Sequence, residues 1–361
     1  MTERIYNFSS GPAVLPLPVL EQVQRDLVAL PGVGMSILEI SHRSKTFESI
    51  IQTTVDDIRK LDGVGTDYHV LFTQGGASMQ FSMVPMNLLL SGAAADYIVT
   101  GVWSKKAVQE ARKVGAVNIA ASTESDNFNR IPDEGEIKVD PQAAYAHFTS
   151  NNTIFGTEWK AEPAVGTLPL IADMSSDIFS RPIDVSKYAL IYAGAQKNLG
   201  PAGVTLVIVR DDMLSRTPKG LPAMLDYNTY AKENSLYNTP PVFAIYVVGL
   251  VVRWIIEQGG LSKMHGRNQE KAALIYNQID SSDFYRGHAV PGSRSLMNVN
   301  FRLPSEDLEK QFVSEATKAG LDGLKGHRSV GGCRASIYNA FPHQGVEALV
   351  SFMKEFERTH G

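Results

Sequence analysis

The chain has 361 residues, 43% hydrophobic and 20% charged, which is apolar material for a large core and a length suited to two domains. A formal net charge of -4 supplies no basic field for nucleic acid, so any anion site has to be local. Cys333 is the only cysteine, which excludes an internal disulfide and cysteine-built zinc sites and fits a reducing compartment.

The opening MTERIYNFSSGPAVLP carries charges at Glu3 and Arg4 and has no apolar run of signal-peptide length, so the cytoplasm is the expected location. Short apolar runs at 69–72, 97–100, 146–149, 168–173, 189–194 and 204–209 read as buried strands. Helical patterns at 79–90 and 104–115 lie between the first of them. This order predicts a mostly parallel sheet covered by helices. The apolar segment 242–256 is shorter than a bilayer span of ~20 residues, contains Arg253 and follows Pro240 and Pro241. It reads as a core helix, not a membrane anchor. Gly259 and Gly260 break the chain, and a domain boundary is expected near 260. Beyond it, a helix over 263–280, strands over 297–303 and 333–340 and helices over 305–319 and 344–358 form the pattern of a smaller α+β domain.

Within IYAGAQKNLGPAG, Lys197 stands where an apolar strand breaks into a Gly-Pro turn, and loops beyond strand ends line the ligand crevice of α/β proteins. A desolvated lysine there becomes a nucleophilic amine able to form a Schiff base with an aldehyde. Asp173 ends the preceding strand, so two neighbouring strand ends offer opposite charges. Taken singly, they also suit a surface lysine and a turn aspartate before Ser175 and Ser176. Together they suit pyridoxal phosphate, which needs a lysine for its aldehyde and a carboxylate for its pyridine nitrogen. The turn TQGGAS (73–78), between strand and helix, brings glycines and helix N-terminal amides to a phosphate. It lacks the lysine of a Walker loop, which disfavours a nucleotide. Trp103 follows another strand and can stack on a flat ring, Thr153 offers a hydroxyl to the ring oxygen, and Gln196 adjoins the lysine.

The stretches IYAGAQKNLGPAG, DMSSDIFSRPIDVSKY, YNTPPVFAIY and GHRSVGGCRASIYNA, with the opening NFSSGPAVLP, closely resemble the phosphoserine aminotransferases along essentially the whole chain. The resemblance implies a fold type I pyridoxal-phosphate transferase, with a large cofactor domain over 16–260 built on a seven-stranded-type sheet. A small α+β domain would be formed from 1–15 and 261–361. It implies that Lys197 carries the cofactor aldehyde, that Asp173 partners the pyridine nitrogen and that Trp103 stacks on the ring. Gly76, Ala77, Thr153 and Gln196 would hold the cofactor, largely at its phosphate. Asn238 and Thr239 would reach the cofactor phosphate of the neighbouring subunit in a homodimer.

The implied reaction is ping-pong amino-group transfer between L-glutamate and 3-phosphohydroxypyruvate, giving O-phospho-L-serine and 2-oxoglutarate, with 4-phosphohydroxythreonine left open as a second substrate. Both partners are polyanions, and arginine binds carboxylate and phosphate bidentately. By resemblance Arg334 takes the α-carboxylate, while His42, Arg43, His327 and Arg328 form the distal anion pocket. Some members carry an arginine in the turn where this chain has Ala77 and Ser78, which leaves any substrate contact from that turn open. No metal, nucleic acid or membrane is expected. Another small-acid aminotransferase or a desulfurase of the same fold is the alternative, although Cys333 lies in an apparent strand beside Arg334 and not on a loop.

Overall fold

The computed structural model describes residues 4–361. Seven strands, β1 (Tyr68–Thr73), β2 (Ala94–Val99), β3 (Ala116–Ser122), β4 (Ala146–Thr149), β5 (Leu170–Asp173), β6 (Leu190–Gly194) and β7 (Thr205–Arg210), form one sheet in the order β1-β7-β6-β5-β4-β2-β3. Only β7 runs antiparallel to its neighbours. The central strands β5 and β6 are buried at every position and, apart from the terminal Asp173, built of apolar residues, tyrosine and glycine, as a sheet covered on both faces requires. One face is covered by α3 (Gly76–Leu88) and α4 (Val102–Ala111). The other is covered by helices that include α1 (Leu17–Asp26), α2 (Lys45–Asp62) and, after the short α5 (Tyr227–Lys232), α6 (Val242–Glu257).

α6 is the apolar segment expected as a core helix. It packs along α2 and buries eight residues, including Ile245, Val248, Val252 and Ile255. Among the described residues no single helix is long and apolar enough to cross a membrane. Gly259 and Gly260, at φ 97° and 76°, turn the chain through 84° into α7 (Gly260–Asp280). α7 packs on α9 (His343–His360) and on the sheet of β8 (Arg286–Gly287), β9 (Asn298–Arg302) and β10 (Cys333–Ser336). A separate core forms here around Phe301, Phe312, Ile337 and Met353, completed by Phe8 from the N-terminal segment and by α8 (Glu306–Lys318). Tyr6–Asn7 also pairs in parallel with Leu321–Asp322. Residues 1–3 of the expected small domain lie outside the described residues.

The structure departs from the sequence expectations at particular places. β3 was not foreseen: an edge strand with exposed Ala116, Asn118 and Ile119 carries no continuous apolar run. α2 is set by Ser44, whose hydroxyl accepts from the Phe47 amide at 3.2 Å, and by Gly63 at φ 66° beyond its end. α3 begins three residues earlier than its apolar pattern.

Candidate active site

β1, β2, β4, β5 and β6 are mutually parallel, so their carboxyl ends open on one edge of the sheet, where ligand crevices form. Asp173 is the last residue of β5. Its carboxylate accepts from the Ser175 amide at 3.0 Å and the Ser175 hydroxyl at 2.6 Å. That hydroxyl in turn accepts from the Gly194 amide at 3.0 Å, tying the ends of β5 and β6 together. Burial raises the Asp173 pKa, while the bonds from Ser175 and the charge of Lys197 oppose it. Behind the strand ends, His147 shares a 2.8 Å hydrogen bond with the Tyr192 hydroxyl, and burial lowers the imidazole to about 3, so it is neutral.

Three residues beyond β6, Lys197 donates to the Thr153 hydroxyl at 2.6 Å, with Nζ 5.2 Å from the centroid of the Trp103 ring. Burial lowers its pKa from 10.5 to about 8, against the pull of Asp173, and Arg334 adds to the lowering. The N-terminal segment covers the lysine stem: a Cβ on Gly11 would stand 3.4 Å from Lys197 Cγ, and the Ala13 amide donates to the Gln196 carbonyl at 2.9 Å. Trp103 lies in the first turn of α4, and its indole Nε1 is buried without a partner.

The turn after β1 is shaped for an anion. Gly75, at φ 85°, precedes α3, whose first turn holds no acidic residue, and a Cβ on Gly75 would meet Met79 Cβ at 2.5 Å. The exposed amides of such a helix start attract negative charge. Gln196 Oε1 and the Ala77 amide nitrogen lie 2.9 and 3.4 Å from where a Gly194 Cβ would stand, so Ala77, Gln196 and the end of β6 converge.

Arg334 extends from β10 to this edge and is 8% exposed. It donates to the Ser10 hydroxyl at 2.7 Å and the Thr153 carbonyl at 3.4 Å, while its Nε is buried without a partner. Thr153 therefore touches both Lys197 and Arg334. His327 and Arg328 sit on the loop 326–332, and burial with the charges of Arg334, Arg328 and Lys106 lowers the His327 pKa. Among the described residues none of these four cations has a carboxylate partner.

His42 and Arg43 do not join this group. They occupy an exposed turn before α2, where Arg43 Nε donates to His42 Nε2 at 3.3 Å. Asn238 and Thr239 lie on the approach to α6, where Thr239 lines a groove of about 350 Å³ with Leu38 and Ile40. Among the described residues no hydrogen bond or ion pair links these four to Lys197, Asp173 or Arg334.

Three residues at the site were not singled out from sequence. Ser175 was legible, because a serine two residues after a strand-end aspartate suits an Asx turn. Lys106 was legible too: it follows Trp103 by three residues on a helix and places Nζ 4.7 Å from the ring centroid. Nothing local marks Ser10, which meets Arg334 across 324 residues.

The residues present fit pyridoxal phosphate: a partly buried amine of lowered pKa, a buried carboxylate one strand away, an indole with a buried unpartnered Nε1 whose ring centroid lies 5.2 Å from the amine, and a helix start whose Ala77 amide adjoins Gln196 and the end of β6. Fold and site define a pyridoxal-phosphate-dependent aminotransferase. Residues 5–349 match the model of the family Aminotransferase class-V. The phosphoserine aminotransferase of Desulfatibacillum aliphaticivorans is 62% identical over 363 residues, with 100% of each chain covered. The structure of the enzyme from Bacillus circulans subsp. alkalophilus superposes with a TM-score of 0.98 at 54% identity, covering 100% of both chains. The pyridoxal-phosphate-bound phosphoserine aminotransferase of Trichomonas vaginalis gives 0.94 at 42% identity, covering 97% of this chain and 100% of that one. The chain belongs to the phosphoserine aminotransferase family of class V aminotransferases.

Proposed function

We propose that the chain transfers the amino group between L-glutamate and 3-phosphohydroxypyruvate, giving O-phospho-L-serine and 2-oxoglutarate. The observation that carries this reading is Thr153, bonded through its hydroxyl to Lys197 and through its carbonyl to Arg334. A substrate α-carboxylate held by Arg334 has its Cα delivered to the lysine amine. Lys197 would hold the cofactor through its amine, with Asp173 at the pyridine nitrogen, Trp103 against the ring and Gly76, Ala77, Thr153 and Gln196 about the rest, chiefly the phosphate. When bound, pyridoxal phosphate supplies an electron sink for the bond broken at the substrate Cα. Lys197 would accept the proton leaving the substrate Cα and hold it for return, and its pKa near 8 suits an amine that must be neutral to accept it. The bonds from Ser175 orient the Asp173 carboxylate and oppose the effect of burial, which favours its neutral form. Arg328, with Lys106 nearby, meets the distal phosphate or carboxylate as an unpaired cation, and His327 joins it by taking up a proton as the anion binds.

His42, Arg43, Asn238 and Thr239 complete the site of a neighbouring subunit in a homodimer. The lack, among the described residues, of any hydrogen bond or ion pair from them to Lys197, Asp173 or Arg334 supports this, as does the apolar surface beside them, where Leu38 is 61% and Tyr237 51% exposed. Residues 16–260 form the cofactor domain and 1–15 with 261–361 the small domain, a division supported by the pairing of Tyr6–Asn7 with Leu321–Asp322. The proposed location is the cytoplasm.

Steady-state kinetics with phosphoserine and 2-oxoglutarate test the reading. Parallel double-reciprocal lines, with serine far poorer than phosphoserine, are expected. Equal use of serine and phosphoserine would assign the site to another small-acid aminotransferase.

A further inference from the structure

The loop 326–332, which carries His327 and Arg328, is closed on itself by backbone bonds from Gly326 to the Gly332 carbonyl (2.9 Å) and from Val330 and Gly331 to the His327 carbonyl (2.9 and 2.8 Å). Those bonds do not use the Val330 carbonyl or the Gly332 amide. Each is taken by a side chain from outside the loop. Arg302, at the end of β9, donates from Nη2 to the Val330 carbonyl at 2.5 Å. Glu309, in the first turn of α8, accepts the Gly332 amide at 3.0 Å. The two side chains are themselves paired, with Arg302 Nη1 3.2 Å from both carboxylate oxygens of Glu309.

The glycines of the loop fit this arrangement. A Cβ on Gly331 would stand 2.8 Å from Arg302 Nη1, and one on Gly332 would stand 2.9 Å from Arg302 Cδ, so the arginine lies directly on the loop backbone. The Glu309 side chain is only 10% exposed. On its inner side the loop packs Val330 into the cluster that holds Trp103. Beside the clamp a cavity of about 860 Å³ is lined by Arg302, Glu309, Lys310 and Val313 and by the loop itself, His327 and Arg328 included, so the loop borders space into which it can shift. The clamp is what opposes that movement.

We propose that Arg302 and Glu309 are positioning residues for substrate anion binding: without touching the substrate, they fix the loop 326–332 so that His327 and Arg328 face the site beside Arg334. This rests on the assignment of His327 and Arg328 to the distal anion. Removing the clamp lets the loop shift into that cavity and weakens capture of a dianionic substrate, while Lys197, Asp173 and the bound cofactor are untouched.

The test uses the holoenzyme with Glu309→Gln, Glu309→Asp and Arg302→Met, reading phosphoserine kinetics together with hydrogen exchange of the loop amides. Glu309→Gln is expected to raise KM for phosphoserine about tenfold with kcat within about twofold. Exchange across 326–332 should quicken while the rest of the fold stays protected. Glu309→Asp should restore much of both, and Arg302→Met should reproduce the defect should Glu309→Gln fold poorly. Loop exchange as slow as in the wild type, or a KM left unmoved, would overturn the proposal. If the wild-type holoenzyme itself does not turn over phosphoserine, the functional reading falls, and loop exchange alone decides the clamp.

Discussion

Lys197 donates to Thr153 over 2.6 Å while Asp173, one strand away, is held by Ser175 and not by the lysine. The lysine and the aspartate are therefore held apart by different partners, as the proposed roles of aldehyde-binding amine and ring-nitrogen carboxylate require.

Because burial lowers Lys197 to about 8, the amine of cofactor-free protein gains its neutral, nucleophilic form as pH rises through that value. Cofactor capture measured by stopped-flow absorbance should therefore accelerate between about pH 7 and 9 and level off above it. A rate still climbing at pH 10, as an unshifted lysine requires, would contradict the lowered pKa.

Ser175→Ala removes one of the two hydrogen bonds to the Asp173 carboxylate and the acceptor of the Gly194 amide. Hydrogen bonds to charged groups are worth about 1.5–3 kcal/mol, so cofactor affinity is expected to fall by about tenfold or more. Fluorescence titration of cofactor-free protein reads this directly. An affinity equal to wild type would show that the serine does not support the carboxylate.

His327 lies below its usual pKa because burial and the cations Arg334, Arg328 and Lys106 oppose its protonation. A bound dianion reverses that field and raises the pKa, so binding takes up a proton between the two values. Affinity for sulfate, a dianion throughout this range, measured by calorimetry, should weaken as pH rises from 6 to 8, with proton uptake that His327→Asn reduces. Uptake unchanged in that variant would remove the imidazole from the anion site.

If Arg43 serves the neighbouring subunit, Lys197→Ala and Arg43→Ala dimers are each nearly inactive alone. Unfolding and refolding them together at equal amounts should restore about a quarter of wild-type activity, since half the dimers are mixed and each holds one intact site. No recovery would place Arg43 outside the shared site.

Much of the site was legible because its chemistry coincides with strand ends. Asp173 ends, and Lys197 follows by three residues, an otherwise apolar buried strand, and the break into polar or glycine-containing turns marks where each strand stops. The glycine start of α3 is legible as an anion turn, but the apolar period of the helix begins three residues inside it, because Gly76, Ala77 and Ser78 carry none. Contacts across the chain left no local sign: Ser10 reaches Arg334, and Arg302 and Glu309 reach the loop, through the packing of β9, β10 and α8. β3 was hidden for the opposite reason, being half exposed.

The central claim is tested most directly by the absorbance of the purified holoenzyme, followed through sequential addition of glutamate and 3-phosphohydroxypyruvate. The account predicts that glutamate converts the long-wavelength band of the aldehyde form to that of the amine form, that the phosphorylated keto acid restores it, and that Lys197→Ala completes neither step at an appreciable rate. A band that glutamate leaves unchanged, or that pyruvate restores as readily as the phosphorylated keto acid, would contradict it.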